Sequence, residues 1–206
     1  IDILIGTHAI FQEKVAYKNL GLAVIDEQHR FGVSQRLLLA SKAERPPHLL
    51  VMTATPIPRT LTLTQYGEMN VSRIDEMPPG RTPVETRVIS DERIGEIVDG
   101  LGRHLANGGQ AYWVCPLVEE SEKSDAAAAE ERARVLRIRF GGDKVGLVHG
   151  RMKGPEKDAV MARFASNDLA VLVATTVIEV GVDVPNATLM IVEGAERFGL
   201  AQLHQL

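Results

Sequence analysis

The sequence predicts an α/β chain of two lobes, each built on a parallel sheet. Short apolar runs alternate with longer segments whose apolar residues recur at helical spacing. Most of these runs lack polar alternation, as strands do when helices cover both faces of their sheet. A third observation divides the chain. Met77-Pro78-Pro79-Gly80-Arg81-Thr82-Pro83 places three prolines and a glycine in seven residues, which no regular element accommodates. The boundary falls there, giving lobes over residues 1–83 and 84–206.

In the first lobe, residues 1–5, 22–25, 49–52 and 71–74 read as strands. In the second, residues 84–89 read as a strand. Asp91 is placed to cap a helix whose apolar positions Ile94, Ile97, Val98, Leu101 and Leu105 share one face. Asn107-Gly108-Gly109 ends that helix. Residues 111–114 form a strand, and the polar stretch 119–125 a loop. Residues 126–140, rich in Ala, Glu and Arg, form a helix. A strand follows at 145–148. Pro155 suits the first turn of a helix running to Ser166, with Val160 and Phe164 inward. Residues 171–174 and 189–192 are strands, and Leu200 opens a further helix. No internal repeat accompanies this shared β/α rhythm.

Composition narrows the class. The 206 residues are 45% hydrophobic and 24% charged, with a formal net charge of -4, which excludes disorder as the main state. The uncharged apolar stretch 171–178 includes two threonines and is far short of the roughly 20 residues a bilayer needs. The opening residues carry no basic flank or cleavage pattern of a signal peptide. A single cysteine, Cys115, forbids an internal disulfide and fits a reducing compartment, so a cytoplasmic location is expected. Up to Pro83 there are 9 Lys plus Arg against 8 Asp plus Glu; beyond it, 14 against 19. With no basic footprint, any contact with nucleic acid must come from local groups. The opening without Met, on a strand-like run, and the stop within a helical pattern read as a piece of a larger protein.

The segment Ala23-Val24-Ile25-Asp26-Glu27-Gln28-His29-Arg30 carries the strongest chemical signal. A strand delivers two adjacent carboxylates at its C-terminal end, where open α/β sheets place ligands. One carboxylate there can hold Mg²⁺, largely through water, while the ion bridges nucleotide phosphates. Its neighbour can orient or deprotonate an attacking water. Read alone, the pair fits a charged surface turn slightly better, and His29 alone fits a structural histidine. A second strand tip, Leu50-Val51-Met52-Thr53-Ala54-Thr55-Pro56, ends in two hydroxyls around an alanine. These can hydrogen-bond a neighbouring strand's carboxylate or histidine and move with it; they equally fit a helix cap before a proline turn.

With both boxes in view, the chain resembles superfamily 2 helicases. Asp26-Glu27-Gln28-His29 resembles their Walker B box and Thr53-Ala54-Thr55 their coupling motif. Gly6-Thr7-His8-Ala9 resembles the segment that lines the nucleic-acid track. Val148-His149-Gly150-Arg151-Met152 and the string from Ala174 to Pro185 resemble the motifs of the last motor strands. The extended strings, Asp26 to Val33 and Thr53 to Thr60, are similar to the RecG family of bacterial branched-DNA helicases. A second relative is the transcription-repair coupling factor, in whose pattern Glu commonly stands where this chain has Gln28.

That resemblance covers nearly the whole chain and implies two RecA-like lobes, with ATP and Mg²⁺ as cofactors and branched double-stranded DNA as partner. It implies that Asp26 holds Mg²⁺ and Glu27 activates water. His29, Thr53 and Thr55 would couple the nucleotide state to the DNA track. Thr7, His8, His149, Thr175 and Thr176 would meet the DNA. Glu179, Gly181 and Asp183 would face the nucleotide from the second lobe. Amides and hydroxyls bind phosphates without a large positive charge, which reconciles DNA tracking with an acidic chain.

Taken singly, the second-lobe residues have plainer readings. Gly181 fits a turn glycine, His149-Gly150 a strand exit, and Thr175 and Thr176 simple β-formers. Arg151 and Lys153 read as solvated. Trp113 reads as packing rather than base stacking, and Cys115 as a buried small hydrophobe. The acidic run 119–122 and the face Glu130-Glu131-Arg132 read as solvent-exposed.

No Gly-x-x-x-x-Gly-Lys-Ser/Thr loop occurs, so the backbone phosphate cradle of the Walker A part is missing. The first lobe is therefore expected to be truncated, to expose apolar edges and to pair with another copy. The parent is expected to be an ATP-driven helicase acting on forks and junctions in recombination and repair, in a bacterial cytoplasm at the nucleoid. The piece alone is expected to be ATPase-inactive. The alternatives are the motor of a transcription-repair coupling translocase, or a non-catalytic DNA- or protein-binding scaffold with helicase shape.

Overall fold

The computed structural model describes residues 2–12, 14–27, 45, 47–53, 70–76, 83–116, 122–175 and 184–206. The chain forms two compact units, Ile1–Ile74 and Asp75–Leu206.

In the first unit, β1 (Leu22–Ile25) pairs in parallel with β2 (His48–Val51), in register from Leu22↔His48 to Ile25↔Val51. The Met52 N–H donates to the Ile25 carbonyl at 2.8 Å, carrying the ladder one step beyond β2. Side chains alternate along β1: Ala23 and Ile25 are buried against Leu20 and Val51, while Leu22 and Val24 face outward. Both strands lie where the sequence predicts them, β2 one residue earlier. The expected strands at 1–5 and 71–74 do not form over the described residues, which run irregularly with Ile3, Ile5, Val71 and Ile74 exposed. β-propensity expresses fit to a half-buried pleated surface, and among the described residues these runs pair with no strand edge.

The second unit is an open parallel sheet in the order β4-β5-β3-β6. Its elements in chain order are α1 (Ile94–Ala106), β3 (Gln110–Val114), α2 (Glu122–Phe140), β4 (Val145–Val148), α3 (Gly154–Ala165), β5 (Val171–Ala174), β6 (Ala187–Val192) and α4 (Leu200–Gln205). Sequence periodicity predicts the body of each one. Three local readings need correction. Residues 84–89 are not a strand; they are irregular, with Val84 and Val88 almost fully exposed. The entry to α1 is a short 3₁₀ turn, Asp91–Arg93, capped by Ser90, whose Oγ accepts the Glu92 N–H at 3.4 Å. The cap therefore sits one residue before Asp91. Finally, α2 begins at Glu122, so residues 122–125 are helical rather than loop.

Period-two alternation sorts the sheet's side chains between two helical layers. Ala111, Trp113, Val171 and Val173 face Leu101 of α1 and Ala129, Ala133 and Leu136 of α2. Tyr112, Leu172 and Ala174 face Phe164 of α3, with the Tyr112 and Phe164 rings edge to face at 4.9 Å. Each fully buried large apolar side chain contributes about 1.5–3 kcal/mol. Gly146 in β4 permits the close approach of α3: a Cβ there would come within 2.7 Å of Leu169 and 3.1 Å of Val160. The Gln110 amide donates to the Phe164 and Leu169 carbonyls, both at 2.7 Å, tying the end of α3 to the sheet.

Candidate functional site

The first candidate group leaves the C-terminal edge of the β1–β2 pair. Asp26 follows β1 directly, is exposed, and accepts the Glu27 backbone N–H on Oδ1 at 2.9 Å. Glu27 adopts φ +51°, a left-handed conformation that non-glycine residues rarely hold. The chain thus turns sharply at the acidic pair, and the Glu27 side chain is half-buried. Strain of this kind costs on the order of 1–3 kcal/mol and concentrates at functional sites. Thr53, half-buried, lies two residues beyond β2 as Glu27 lies two beyond β1. Upstream, Thr7 is exposed and its carbonyl accepts the Ile10 N–H at 3.1 Å, opening the 3₁₀ turn His8–Phe11.

Asp26 offers hard oxygen donors of the kind Mg²⁺ prefers. Among the described residues no three His, Cys, Asp or Glu side chains form a metal cage. A magnesium–nucleotide site does not require one, because one or two carboxylates with phosphates and water complete the octahedron. The carboxylate beside the turn therefore fits a magnesium nucleotide.

The second group lies on the C-terminal rim of the four-stranded sheet. Four residues there each follow a strand: His149, Thr175, Cys115 and Glu193. Backbone hydrogen bonds continue the ladder across them. The Thr175 N–H donates to Val148 at 3.3 Å, Cys115 to Ala174 at 2.8 Å, and Glu193 to Val114 at 2.9 Å. Thr175 is buried, only 1% exposed. His149 Nε2 lies 3.6 Å from Glu130 Oε1, and its Nδ1 is buried with no hydrogen-bond partner among the described residues.

At the other end of the rim, the Glu193 carboxylate takes three donors. Its Oε1 accepts from Arg132 at 2.7 Å; its Oε2 accepts from Arg132 Nε at 2.9 Å and from Trp113 Nε1 at 2.8 Å. The guanidinium also lies over the Trp113 ring, 5.1 Å from its centroid. Burial works against the charge on Arg132, but the hydrogen bond and negative charge of Glu193 outweigh it and hold the guanidinium above its ordinary value. Burial first, and then the Glu193 charge, push the Cys115 thiol up to about 12. Trp113 packs inside, as the sequence suggests, and Cys115 is a buried small hydrophobe.

Arg132 corrects an expectation: it is not part of a solvated face. The sequence signal for its partner existed. Glu193 follows the apolar run 189–192 just as Asp26 follows 22–25. Of the other predicted site residues, His29, Thr55, Thr176, Glu179, Gly181 and Asp183 lie outside the described residues, as does the side chain of His8.

Residues 92–206 match the family described as the helicase conserved C-terminal domain. The chain belongs to that family. Over its whole length the chain is 58% identical to the ATP-dependent DNA helicase RecG of Escherichia coli K12 and 52% identical to that of Bacillus subtilis 168. It spans 30% of the length of each of these relatives. Among solved structures, it resembles Saccharomyces cerevisiae Dbp5 bound to RNA and ADP BeF3. The TM-score is 0.62 at 13% identity, covering 96% of this chain and 52% of that one. That likeness establishes the fold: parallel α/β of the RecA-like helicase type. No helix among the described residues is long and apolar enough to cross a membrane.

Proposed function

We propose that the chain is the motor part of an ATP-dependent DNA helicase that remodels branched DNA, forks and junctions, during recombination and repair. One observation carries this reading. β1 delivers the adjacent carboxylates Asp26 and Glu27 into a sharp turn, in a chain that aligns throughout with proteins named ATP-dependent DNA helicases. A strand's C-terminal end is where an open parallel sheet binds its ligand.

In this reading Asp26 holds Mg²⁺, and Glu27 positions and deprotonates the attacking water. The ion, when bound, neutralises charge on the nucleotide phosphates. His29, Thr53 and Thr55 relay the nucleotide state toward the DNA track. Thr7, His8, His149, Thr175 and Thr176 serve DNA. Glu179, Gly181 and Asp183 serve the nucleotide from the second lobe. Residues 1–83 belong to the first lobe and 84–206 to the second. The protein works in the bacterial cytoplasm, at the nucleoid. The chain alone, lacking a Gly-x-x-x-x-Gly-Lys-Ser/Thr loop, turns over little or no ATP. Exposed Leu22, Val24, Leu50 and Met52 in the first unit support its pairing with a second copy when isolated.

ATPase assays of the full-length protein with forked, linear duplex and single-stranded DNA test this. Forked DNA is expected to stimulate hydrolysis most. A rate indifferent to all three would contradict the reading.

A further inference from the structure

Helix α2 reaches both ends of the rim. Glu130 approaches His149 beyond β4, and Arg132 grips Glu193 beyond β6. β4 and β6 are the two outer strands of the sheet, so these anchors stand roughly 14 Å apart, three inter-strand spacings. Two positions along a helix are about 200° apart around its axis, so the two side chains diverge to opposite sides. Between them Ala126, Ala129 and Ala133 are buried, and their small side chains let the helix lie close to the sheet.

Stability alone accounts poorly for the Arg132 arrangement. A partly buried ion pair gains little net free energy, because desolvation offsets attraction. Here, however, one carboxylate takes three donors in fixed directions, and it stands on the edge of the sheet where ligands bind. Unpaired, Glu193 would also present negative charge to a phosphodiester backbone.

We propose that Arg132 is a positioning residue: through Glu193 and Trp113 it locks the C-terminal rim of the second sheet in the conformation that contacts the DNA backbone, and Glu130 orients His149 at the opposite end. The lock is transmitted by the rim's own ladder, from Glu193 to Val114 and from Cys115 to Ala174, beside Thr175. This inference rests on the proposed helicase reading.

The test uses the full-length protein and a defined forked oligonucleotide duplex. Arg132→Lys keeps the charge but loses the fork geometry; Glu193→Gln keeps the shape but loses the charge. Both are expected to raise the DNA concentration for half-maximal ATPase by about fivefold, while the maximal rate changes less. Glu130→Gln, whose side chain is 56% exposed and whose folding is therefore safe, is expected to shift it the same way by about twofold. A lowered half-saturating DNA concentration for Glu193→Gln, with no shift for Arg132→Lys, would reveal a bulk charge effect and overturn the proposal. So would lower melting temperatures with unchanged half-saturating DNA, the mark of a purely structural pair. If wild-type protein ignores DNA, the helicase reading fails and takes this inference with it. If wild type responds and all three variants match it, only the positioning role fails.

Discussion

β3 in the second unit and β1 in the first are both short, apolar and parallel-paired, yet their surroundings differ. All five residues of Gln110–Val114 are buried, whereas in Leu22–Ile25 burial alternates. β3 lies between β5 and β6 and is covered by helices on both faces; β1 has β2 as its partner among the described residues. The same local pattern thus becomes a core strand or a half-exposed one according to its neighbours. The two units also hold their acids differently. Glu193 is bound by three donors from Arg132 and Trp113, while Asp26 stands exposed at a turn. The thrice-bonded carboxylate suits positioning and the exposed one suits a ligand.

The largest way to break this comparison is to empty the second core. Trp113→Ala is expected to cost about 3–5 kcal/mol in urea unfolding of the second unit, with more from the lost donor to Glu193. A loss below about 1 kcal/mol would mean that the core does not rest on this ring.

The Cys115 thiol sharpens the contrast through pH. Burial raises it from an ordinary value of 9.0 to about 12. Its folded value therefore lies above its unfolded one, and the corresponding stability is complete below pH 9 and lost as pH rises toward 12. At pH 8 the folded protein should hold about a thousandfold less thiolate than an ordinary cysteine, and an aromatic disulfide reagent should label it only after unfolding. Labelling of the native protein at the rate of a free thiol would contradict the burial.

The smallest effect belongs to the first unit. Val24 is 52% exposed, and Val24→Ala is expected to change stability by no more than about 0.5 kcal/mol in the isolated chain at low concentration. A cost above about 1 kcal/mol would show that this face is covered, and would remove the difference between the units.

Much of the architecture is legible from periodicity, because a buried strand or amphipathic helix is written in consecutive residues. Phe164 and Leu101 are assigned inward in this way. What fails depends on partners distant in sequence. Residues 84–89 have strand composition, but composition cannot say whether a sheet edge is available. The start of α2 is hidden because Glu, Lys, Ser and Asp at 122–125 suit a helix end as well as a loop. The Arg132–Glu193 pair joins residues 61 apart, and one sequence does not reveal such a pairing. The acidic pair after β1 is legible because strand, turn and both carboxylates are contiguous.

The central claim is that Glu27 activates water at a magnesium nucleotide held by Asp26. Glu27→Gln in the full-length protein tests it most directly, with ATP binding and hydrolysis measured on the same preparation. Hydrolysis is expected to fall by at least about a hundredfold while binding persists. Turnover at the wild-type rate, with the nucleotide bound, would contradict the assignment.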